Sequence, residues 1–230
     1  MNVKQFLAGI VLVLLAGCAG QNPVGEPTVK VAHVKPSGFL KDYSFLRKGG
    51  KDRMNLVYVN PETDFADYDK IMVDPVTIWL SPESNLSKVP PKERQDLANE
   101  LHDIIVKEFG KDFEIVDSPQ AGAMRFRVAL VDAKESSPTL DTISTYIPQV
   151  RLLQAAATVG AETAAFVGEA SVEAEARDSV TGELLGAVVD RRAGTKALGD
   201  STFDSWGDVR RIFNTWVEQV RNDILKRQGK

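Results

Sequence analysis

The feature that most constrains the fold of this chain is a pair of alternating segments, Glu169–Asp178 and Glu183–Arg192, separated by four residues. Apolar and polar side chains alternate in both segments, which is the period of a β-strand with one buried face. The linking Ser-Val-Thr-Gly ends in glycine, which is typical of a turn between antiparallel strands. The loop length predicts three apolar pairs and one ion pair: Ala176 opposite Leu185, Ala174 opposite Ala187, Val172 opposite Val189, and Glu169 opposite Arg192.

Two longer segments repeat apolar residues with the period of an α-helix. Residues 91–109 begin at Pro91, which suits a first helical turn, and are followed by Gly110, which suits a helix end. Residues 203–227 end in two basic residues, which are favourable at a helix C-terminus. The predicted apolar stripes are Leu97, Leu101, Ile104, Ile105 and Phe109 in the first helix, and Trp206, Val209, Phe213, Trp216, Val217, Val220 and Ile224 in the second.

Shorter patterns complete the predicted fold. Residues 37–46 predict a short helical turn that Ser37 caps, and residues 149–159 predict a third helix. Further strands are predicted at 56–59, at 69–80 with Pro75 at a bulge or an edge, at 113–117 and at 124–132. The element order predicts an α+β protein, in which two or three helices pack on a mixed, largely antiparallel sheet of about five strands.

Residues 1–17 predict a bacterial signal peptide. Lys4 precedes a run of about ten apolar residues, which is too short for a transmembrane helix. The run ends in Leu-Ala-Gly-Cys, which resembles the lipobox of bacterial lipoproteins, and Cys18 is the only cysteine of the chain. We expect cleavage before Cys18 and lipid on its thiol. The resemblance to lipoproteins implies export to the outer membrane, because Ala19 stands where an aspartate would change the destination.

Residues 18–36 are rich in proline and glycine and predict a flexible tether, so residues 37–230 are expected to form a single periplasmic α+β domain. Charge is unevenly spread, since residues 30–53 carry a net charge of +5 and residues 54–230 one of −9. The basic stretch could lie against anionic head groups, or it could be an ordinary solvated surface that faces the acidic remainder. The overall charge of −4 argues against nucleic acid as a partner.

Several segments resemble a known family of proteobacterial outer-membrane lipoproteins that carry a domain of unknown function. The resemblance rests on Ser-Gly-Phe-Leu at 37–40 with Asp-Tyr-Ser at 42–44, on Asp-Ser-x-Thr-Gly-Glu at 178–183, and on the aromatic C-terminal helix. It extends from Ser37 to Leu225, which is nearly the whole chain after the tether. This resemblance implies a lipoprotein of the outer envelope and gives no activity.

The sequence offers few groups for catalysis or for a cofactor. A single cysteine excludes internal disulfides and cysteine-based metal clusters, and it is expected to carry lipid. The two histidines are His33 in the tether and His102 beside the stripe of the first helix, where a half-buried surface position is expected. No nucleophile-elbow motif and no phosphate-binding glycine loop are present. We therefore expect no enzymatic activity, no cofactor and no metal.

Three carboxylates, Glu169, Glu173 and Glu175, share one face of their strand and could hold calcium or serve acid–base chemistry. Arg177 and Arg192 are expected on the same face, so a charged face turned towards water is the favoured interpretation. A second acidic group lacks the spacing of a calcium-binding loop and is expected to be solvated: Glu62, Asp64, Asp67 and Asp69. The aromatic pair on the last helix, Trp206 and Trp216, is interpreted as core.

These features predict a non-enzymatic lipoprotein that the lipid on Cys18 holds at the periplasmic face of the outer membrane. We expect it to act as a binding or assembly component, with an envelope protein as partner or by self-association. The small residues of 148–168 would permit close contact with another chain, or they would form an internal helix over the sheet. The alternative function is an envelope enzyme or a carrier of small ligands or lipids that acts on cell-wall or lipid material.

Overall fold

The computed structural model describes residues 28–31, 34–50, 53–136, 167–194 and 204–230. The predicted signal peptide, Cys18, His33 and most of the tether lie outside the described residues. So do the predicted helix at 149–159 and nearly all of the small-residue segment 148–168. The predictions for these parts of the chain stay predictions.

The described residues form one sheet of nine strands: β1 (Val29–Lys30), β2 (Arg47–Lys48), β3 (Leu56–Val59), β4 (Lys70–Val73), β5 (Thr77–Ile78), β6 (Glu114–Ile115), β7 (Ala123–Lys134), β8 (Glu169–Asp178) and β9 (Leu184–Ala193). Their order is β2-β3-β9-β8-β7-β4-β6, with β1 also paired to β9 and β5 to β7. The pairs that β4 forms with β6 and β7, and the pair of β5 with β7, are parallel, and the others are antiparallel.

The prediction of a mixed, largely antiparallel sheet in an α+β protein is therefore confirmed, but the expected number of about five strands is too low. Four of the strands have only two residues, which is too short for a periodic pattern to be seen in the sequence. The predicted strand at 69–80 is in fact two strands, β4 and β5, which pair with successive parts of β7. Pro75 lies in the gap between them, where its missing N–H removes no ladder hydrogen bond.

Two helices, α1 (Pro91–Phe109) and α2 (Gly207–Arg227), pack together on one face of the sheet, which we call the helix face. The predicted stripes are largely buried there, and Trp216 is among the buried residues, as predicted for core. Helix α2 begins four residues later than predicted, because the side chain of Asp204 accepts a hydrogen bond from the backbone N–H of Trp206 in a turn before the helix. Within the described ranges, neither helix has the length and apolar character needed to cross a membrane.

The hairpin of β8 and β9 has the predicted turn but not the predicted register. Around the turn, Arg177 lies opposite Leu184, and the backbone N–H of Gly182 donates to the carbonyl of Asp178 at 3.0 Å. A β-bulge next to this pair then shifts every later pair by one residue. The four predicted pairs are wrong, and the observed ones are Ala176 opposite Gly186, Ala174 opposite Val188, Val172 opposite Asp190, and Glu169 opposite Ala193.

The opposite face of the sheet is covered by residues 37–46, which we call the covering segment. The prediction of a helical turn here is wrong, because the segment crosses the sheet in an irregular conformation. Its apolar side chains pack on the sheet individually and not as one face of a helix. Their spacing resembled that of a helix by coincidence. The second core formed in this way contains Phe39, Leu40 and Leu46 of the segment, with Ala129, Val131, Ala187 and Val189 of the sheet.

Candidate binding site

A cavity of about 120 Å³ lies between the helix face of the sheet and the two helices. Its floor is formed by β7, β8, β9 and β3, and its roof by α2 with Trp216, Val217 and Val220. Leu101 and Phe109 of α1 close its inner end. Aliphatic and aromatic carbon therefore surrounds almost all of this space.

Small residues of the two central strands leave this space open. Ala174, Ala176 and Gly186 line the floor, where larger side chains would fill it. Glycine at 186 also suits the neighbouring strand, because an added Cβ would make a tight contact, 3.2 Å, with the carbonyl oxygen of Tyr58. The cavity thus follows from the residues that the bulged register places opposite each other.

The mouth of the cavity is bordered by three polar side chains of α2 that are spaced four residues apart: Gln219, Asp223 and Arg227. This spacing puts them on one flank of the helix. Gln219 accepts a hydrogen bond from Arg192 at 2.8 Å, and Asp223 accepts one from Arg53 at 3.3 Å. Arg227 lies over the ring of Phe65, with 5.7 Å from its guanidinium carbon to the ring centroid. Among the described residues, Arg227 has no carboxylate within ion-pair distance.

A buried polar cluster stands beside the cavity and fixes its roof. The carboxylate of Asp190 is fully buried and accepts hydrogen bonds from three donors: the indole N–H of Trp216 at 2.8 Å, Nε of Arg192 at 2.7 Å and the backbone N–H of Asn55 at 2.7 Å. Asp190 itself belongs to β9, Trp216 belongs to α2, and Asn55 precedes β3. This one carboxylate therefore joins the helix to two strands of the floor.

The side chains of the three carboxylates weighed from the sequence are held on the other face of the sheet, although Glu175 is also among the residues that line the cavity. Their expected exposure to water is wrong, since Glu169, Glu173 and Glu175 are only 6%, 1% and 4% exposed. The covering segment and neighbouring arginines enclose them. Arg177 shares this face as predicted, but the register shift turns Arg192 to the helix face, so the predicted ion pair between Glu169 and Arg192 is also wrong.

Each of these carboxylates has partners that hold the structure together. Glu169 pairs with Arg191 at 2.7 Å. Glu175 is held by Arg177, at 2.8 Å, and by Arg127. Burial raises the pKa of Glu175, but the hydrogen bond and charge of Arg177, with a contribution from Arg127, outweigh it, so the pKa is lowered overall.

Glu173 is the residue that fastens the covering segment. Its two oxygens accept hydrogen bonds from the backbone N–H of Ser37, at 2.6 Å, and from the hydroxyl of Tyr43, at 2.5 Å. The same hydroxyl accepts from the backbone N–H of Gly38 and Leu40, so it closes the loop on itself. The Ser-Gly-Phe-Leu and Asp-Tyr-Ser residues are thereby accounted for by structure.

The second sequence motif is explained by the hairpin turn. Asp178 accepts from the backbone N–H groups of Thr181, at 2.7 Å, and Val180, at 2.9 Å, and these bonds lower its pKa. The hydroxyl of Tyr68 also donates to Asp178, at 3.2 Å. Burial, and then the charge of Asp178, raise the pKa of Tyr68 to about 12.

The remaining residues singled out from the sequence are not brought together. His102 is half-buried on α1, with Nδ1 3.6 Å from the carboxylate of Asp103. The acidic run from Glu62 to Asp69 is exposed as predicted, and within it Asp64 caps a short 3-10 helix at Phe65–Asp67. Across the described residues, no group of three or more acidic, histidine or cysteine side chains is arranged to hold a metal ion.

Residues 35–220 match the family described as "Protein of unknown function (DUF3313)". The match covers most of the chain, so this protein belongs to that family. A comparison with curated proteins found no match. The expected membership of a family that carries a domain of unknown function is therefore confirmed.

Several solved structures are similar over most of their length. The PelC dodecamer from Paraburkholderia phytofirmans has 12% identity and a TM-score of 0.39, with 72% of this chain and 94% of that chain covered. A protein of family DUF330 from Xanthomonas campestris has 11% identity and a TM-score of 0.36, with 73% and 86% covered. A putative neuraminyllactose-binding hemagglutinin homolog from Helicobacter pylori has 10% identity and a TM-score of 0.32, with 73% and 88% covered.

Proposed function

We propose that this protein is a non-enzymatic lipoprotein, held at the periplasmic face of the outer membrane by lipid on Cys18, whose folded part binds another component of the envelope. The observation that carries the binding proposal is the apolar cavity under α2, which is open at its mouth and lined by carbon. Burial of an apolar group in this space would remove apolar surface from water, which is favourable by about 25 cal/mol per Å².

The ionisable groups support binding rather than catalysis as the role of this fold. The buried carboxylates of Glu173, Glu175 and Asp190 are each held by two or more structural donors. A general acid or base must be able to approach a substrate proton within hydrogen-bond distance. These carboxylates instead fasten the covering segment, a neighbouring strand and the roof of the cavity.

The anchoring part of the proposal is tested by cell fractionation of two variants. Cys18→Ser removes the thiol that would carry lipid, so the protein is expected to leave the membrane fraction. Ala19→Asp keeps the thiol and serves as the matched control; in an enteric-type host it is expected to stay membrane-bound but to move to the inner membrane. If Cys18→Ser still fractionates with the outer membrane, the proposed anchor is wrong.

The binding part is tested by photo-crosslinking in cells. A photoreactive amino acid at Val57, at the edge of the cavity, is expected to capture a defined envelope component. The same amino acid at Glu93, on the exposed surface of α1, is the control and should not capture it. A second position at Ala155 asks whether the small-residue segment contacts a partner chain. Equal products from Val57 and Glu93 would contradict binding at the cavity.

The second candidate function is a carrier of a small apolar ligand. It is favoured by the depth of the cavity, which reaches the buried side chains of Leu101 and Phe109 behind α2. A flat protein–protein contact does not require such depth, whereas small-molecule sites are typically concave and mostly apolar. A carrier is expected to release its ligand into organic solvent after purification, while a protein partner would be found by crosslinking alone.

A further inference from the structure

Building on the proposed binding function, we propose that the cavity takes the end of an aliphatic chain whose anionic head group pairs with Arg227 at the mouth. The ligand class is therefore an amphiphile with a carboxylate or a phosphate at one end.

The size of the cavity sets the length of chain that it can bury. An engineered apolar cavity of about 150 Å³ stays dry and binds benzene, a molecule of six carbon atoms. The cavity under α2, at about 120 Å³, is of similar size. It therefore holds the last few methylene groups of a chain rather than a whole lipid tail.

The residues that line the cavity favour a ligand whose buried part is apolar. The floor and roof present alanine, valine and tryptophan side chains, and the polar atoms nearest to them already have partners. Among the described residues, the buried polar side-chain atoms without a partner are Thr63 Oγ1 and Gln228 Oε1, and neither of these residues lines the cavity. A ligand with a polar group on its buried end would lose hydrogen bonds to water without replacement.

The residues at the mouth of the cavity favour a negatively charged head group. Of its three polar side chains, Gln219 and Asp223 are held by Arg192 and Arg53. Arg227 is exposed, and within the described part of the chain its guanidinium lies over the ring of Phe65 and pairs with no carboxylate, so it is available to an anionic group. An arginine in this position forms bidentate hydrogen bonds with carboxylate or phosphate, and a cationic head group would be repelled.

The position of Arg227 in the last turn of α2 also has a purely structural explanation, since a basic residue there is favourable with the helix dipole. Lys226 occupies the same turn and is also exposed, but it does not line the cavity. The two residues therefore form a matched pair, in which the structural explanation predicts equal effects and the proposed role predicts an effect of Arg227 alone.

The test measures binding of eight-carbon ligands to the purified full-length chain by calorimetry and by tryptophan fluorescence, to which Trp216 contributes together with Trp79 and Trp206. Octanoate and octyl phosphate carry the proposed head groups, octanol is neutral, and octyltrimethylammonium is cationic. We expect octanoate or octyl phosphate to bind most tightly and the cation most weakly. Between hexanoate and octanoate, each added methylene should increase the affinity about fourfold, which corresponds to about 0.8 kcal/mol per buried CH₂. The comparison of octanoate with octyl phosphate distinguishes a fatty-acid source from a phospholipid source.

Variants separate the head-group site from the cavity. Arg227→Gln should weaken octanoate binding about two- to fivefold, the range for an exposed ion pair, and leave octanol binding unchanged. Lys226→Gln should change neither. Ala174→Leu fills the cavity and should abolish binding of both ligands, and the smaller change Ala176→Val provides a second filled variant in case the first does not fold.

Two failures have different meanings. If octanol and octanoate bind equally and Arg227→Gln has the same effect as Lys226→Gln, the anionic head group is refuted, while an apolar site remains. If neither ligand binds, or if binding survives in the folded filled variants, the cavity is not a binding site. The second result would overturn the proposed function as well as the inference.

Discussion

Replacing Asp190 by asparagine is expected to lower the free energy of unfolding by about 3–5 kcal/mol, the usual cost of removing one partner of a buried ion pair. Oδ2 of Asp190 accepts from Trp216 and Arg192, and Oδ1 accepts from the backbone N–H of Asn55. Asparagine keeps only one acceptor oxygen, so its NH₂ group must face at least one of these donors. Hydrogen bonds to a charged group contribute about 1.5–3 kcal/mol each, so the loss of one or two of these bonds costs about 1.5–6 kcal/mol, which brackets this range.

The partner charge makes the loss larger than that of a simple hydrogen bond. The side chain of Arg192 is only 7% exposed, and without Asp190 its positive charge is buried with only neutral oxygens as described partners, those of Thr28 and Gln219. The double variant Asp190→Asn with Arg192→Gln removes both charges. It is therefore expected to be less destabilised than the sum of the two single variants.

Urea unfolding of the full-length chain, followed by far-ultraviolet circular dichroism, measures these differences. Asp96→Asn is the control, because it makes the same chemical change in an exposed i,i+4 pair with Lys92 and should cost less than about 0.5 kcal/mol. In the register that the sequence predicted, Asp190 would lie on the face of the covering segment, away from Trp216. A cost below about 1 kcal/mol, or strict additivity with Arg192→Gln, would refute the bulged register and the cluster built on it.

Three further predictions concern other contacts. Glu173→Gln turns an NH₂ group towards the donors that fasten the covering segment; it should cost about 1–3 kcal/mol and speed hydrogen exchange at residues 37–46, whereas Glu83→Gln in an exposed pair should do neither. Gly194→Ala places a Cβ in steric clash with the side chain of Asp208, so it should cost about 1–3 kcal/mol in urea unfolding, while Gly50→Ala, which meets no atom within 4 Å, should be near neutral. Because the pKa of Tyr68 is raised from 10.0 to about 12, its contribution to stability is complete below pH 10 and declines as the pH rises through this interval; Tyr68→Phe should lack that decline in pH-dependent unfolding.

The two helices were predictable because an apolar stripe that repeats over five turns indicates a helix whatever the details of the tertiary structure. The ends of α1 matched the prediction, since Pro91 and Gly110 act locally. The start of α2 did not, because it depends on how Asp204 bonds within its own turn. The two-residue strands are too short to show an alternating pattern of apolar and polar residues. Their pairing is decided by the neighbouring strands of the sheet.

The prediction of the hairpin register was wrong because of a β-bulge. Loop length sets the pairs next to the turn, and Arg177 does lie opposite Leu184, but a bulge one residue further on leaves no trace in an alternating pattern. The burial of Glu175 had a signal that was missed. Arg127 of β7 lies directly opposite it, so charges of opposite sign face each other across β7 and β8. The cavity depends on non-local register and could not be derived from the sequence.

The central claim, that the folded part of this protein binds the apolar end of an envelope compound under α2, is tested most directly by mass spectrometry of the protein extracted from its own membranes. A denaturing spectrum reports lipid bound covalently at Cys18, and a native spectrum adds any compound bound without a covalent bond. We predict that one compound with an aliphatic chain, bound once per protein, appears only in the native spectrum and is lost in Ala174→Leu. A native mass without added compound, or the same compound in the folded Ala174→Leu variant, would contradict this claim.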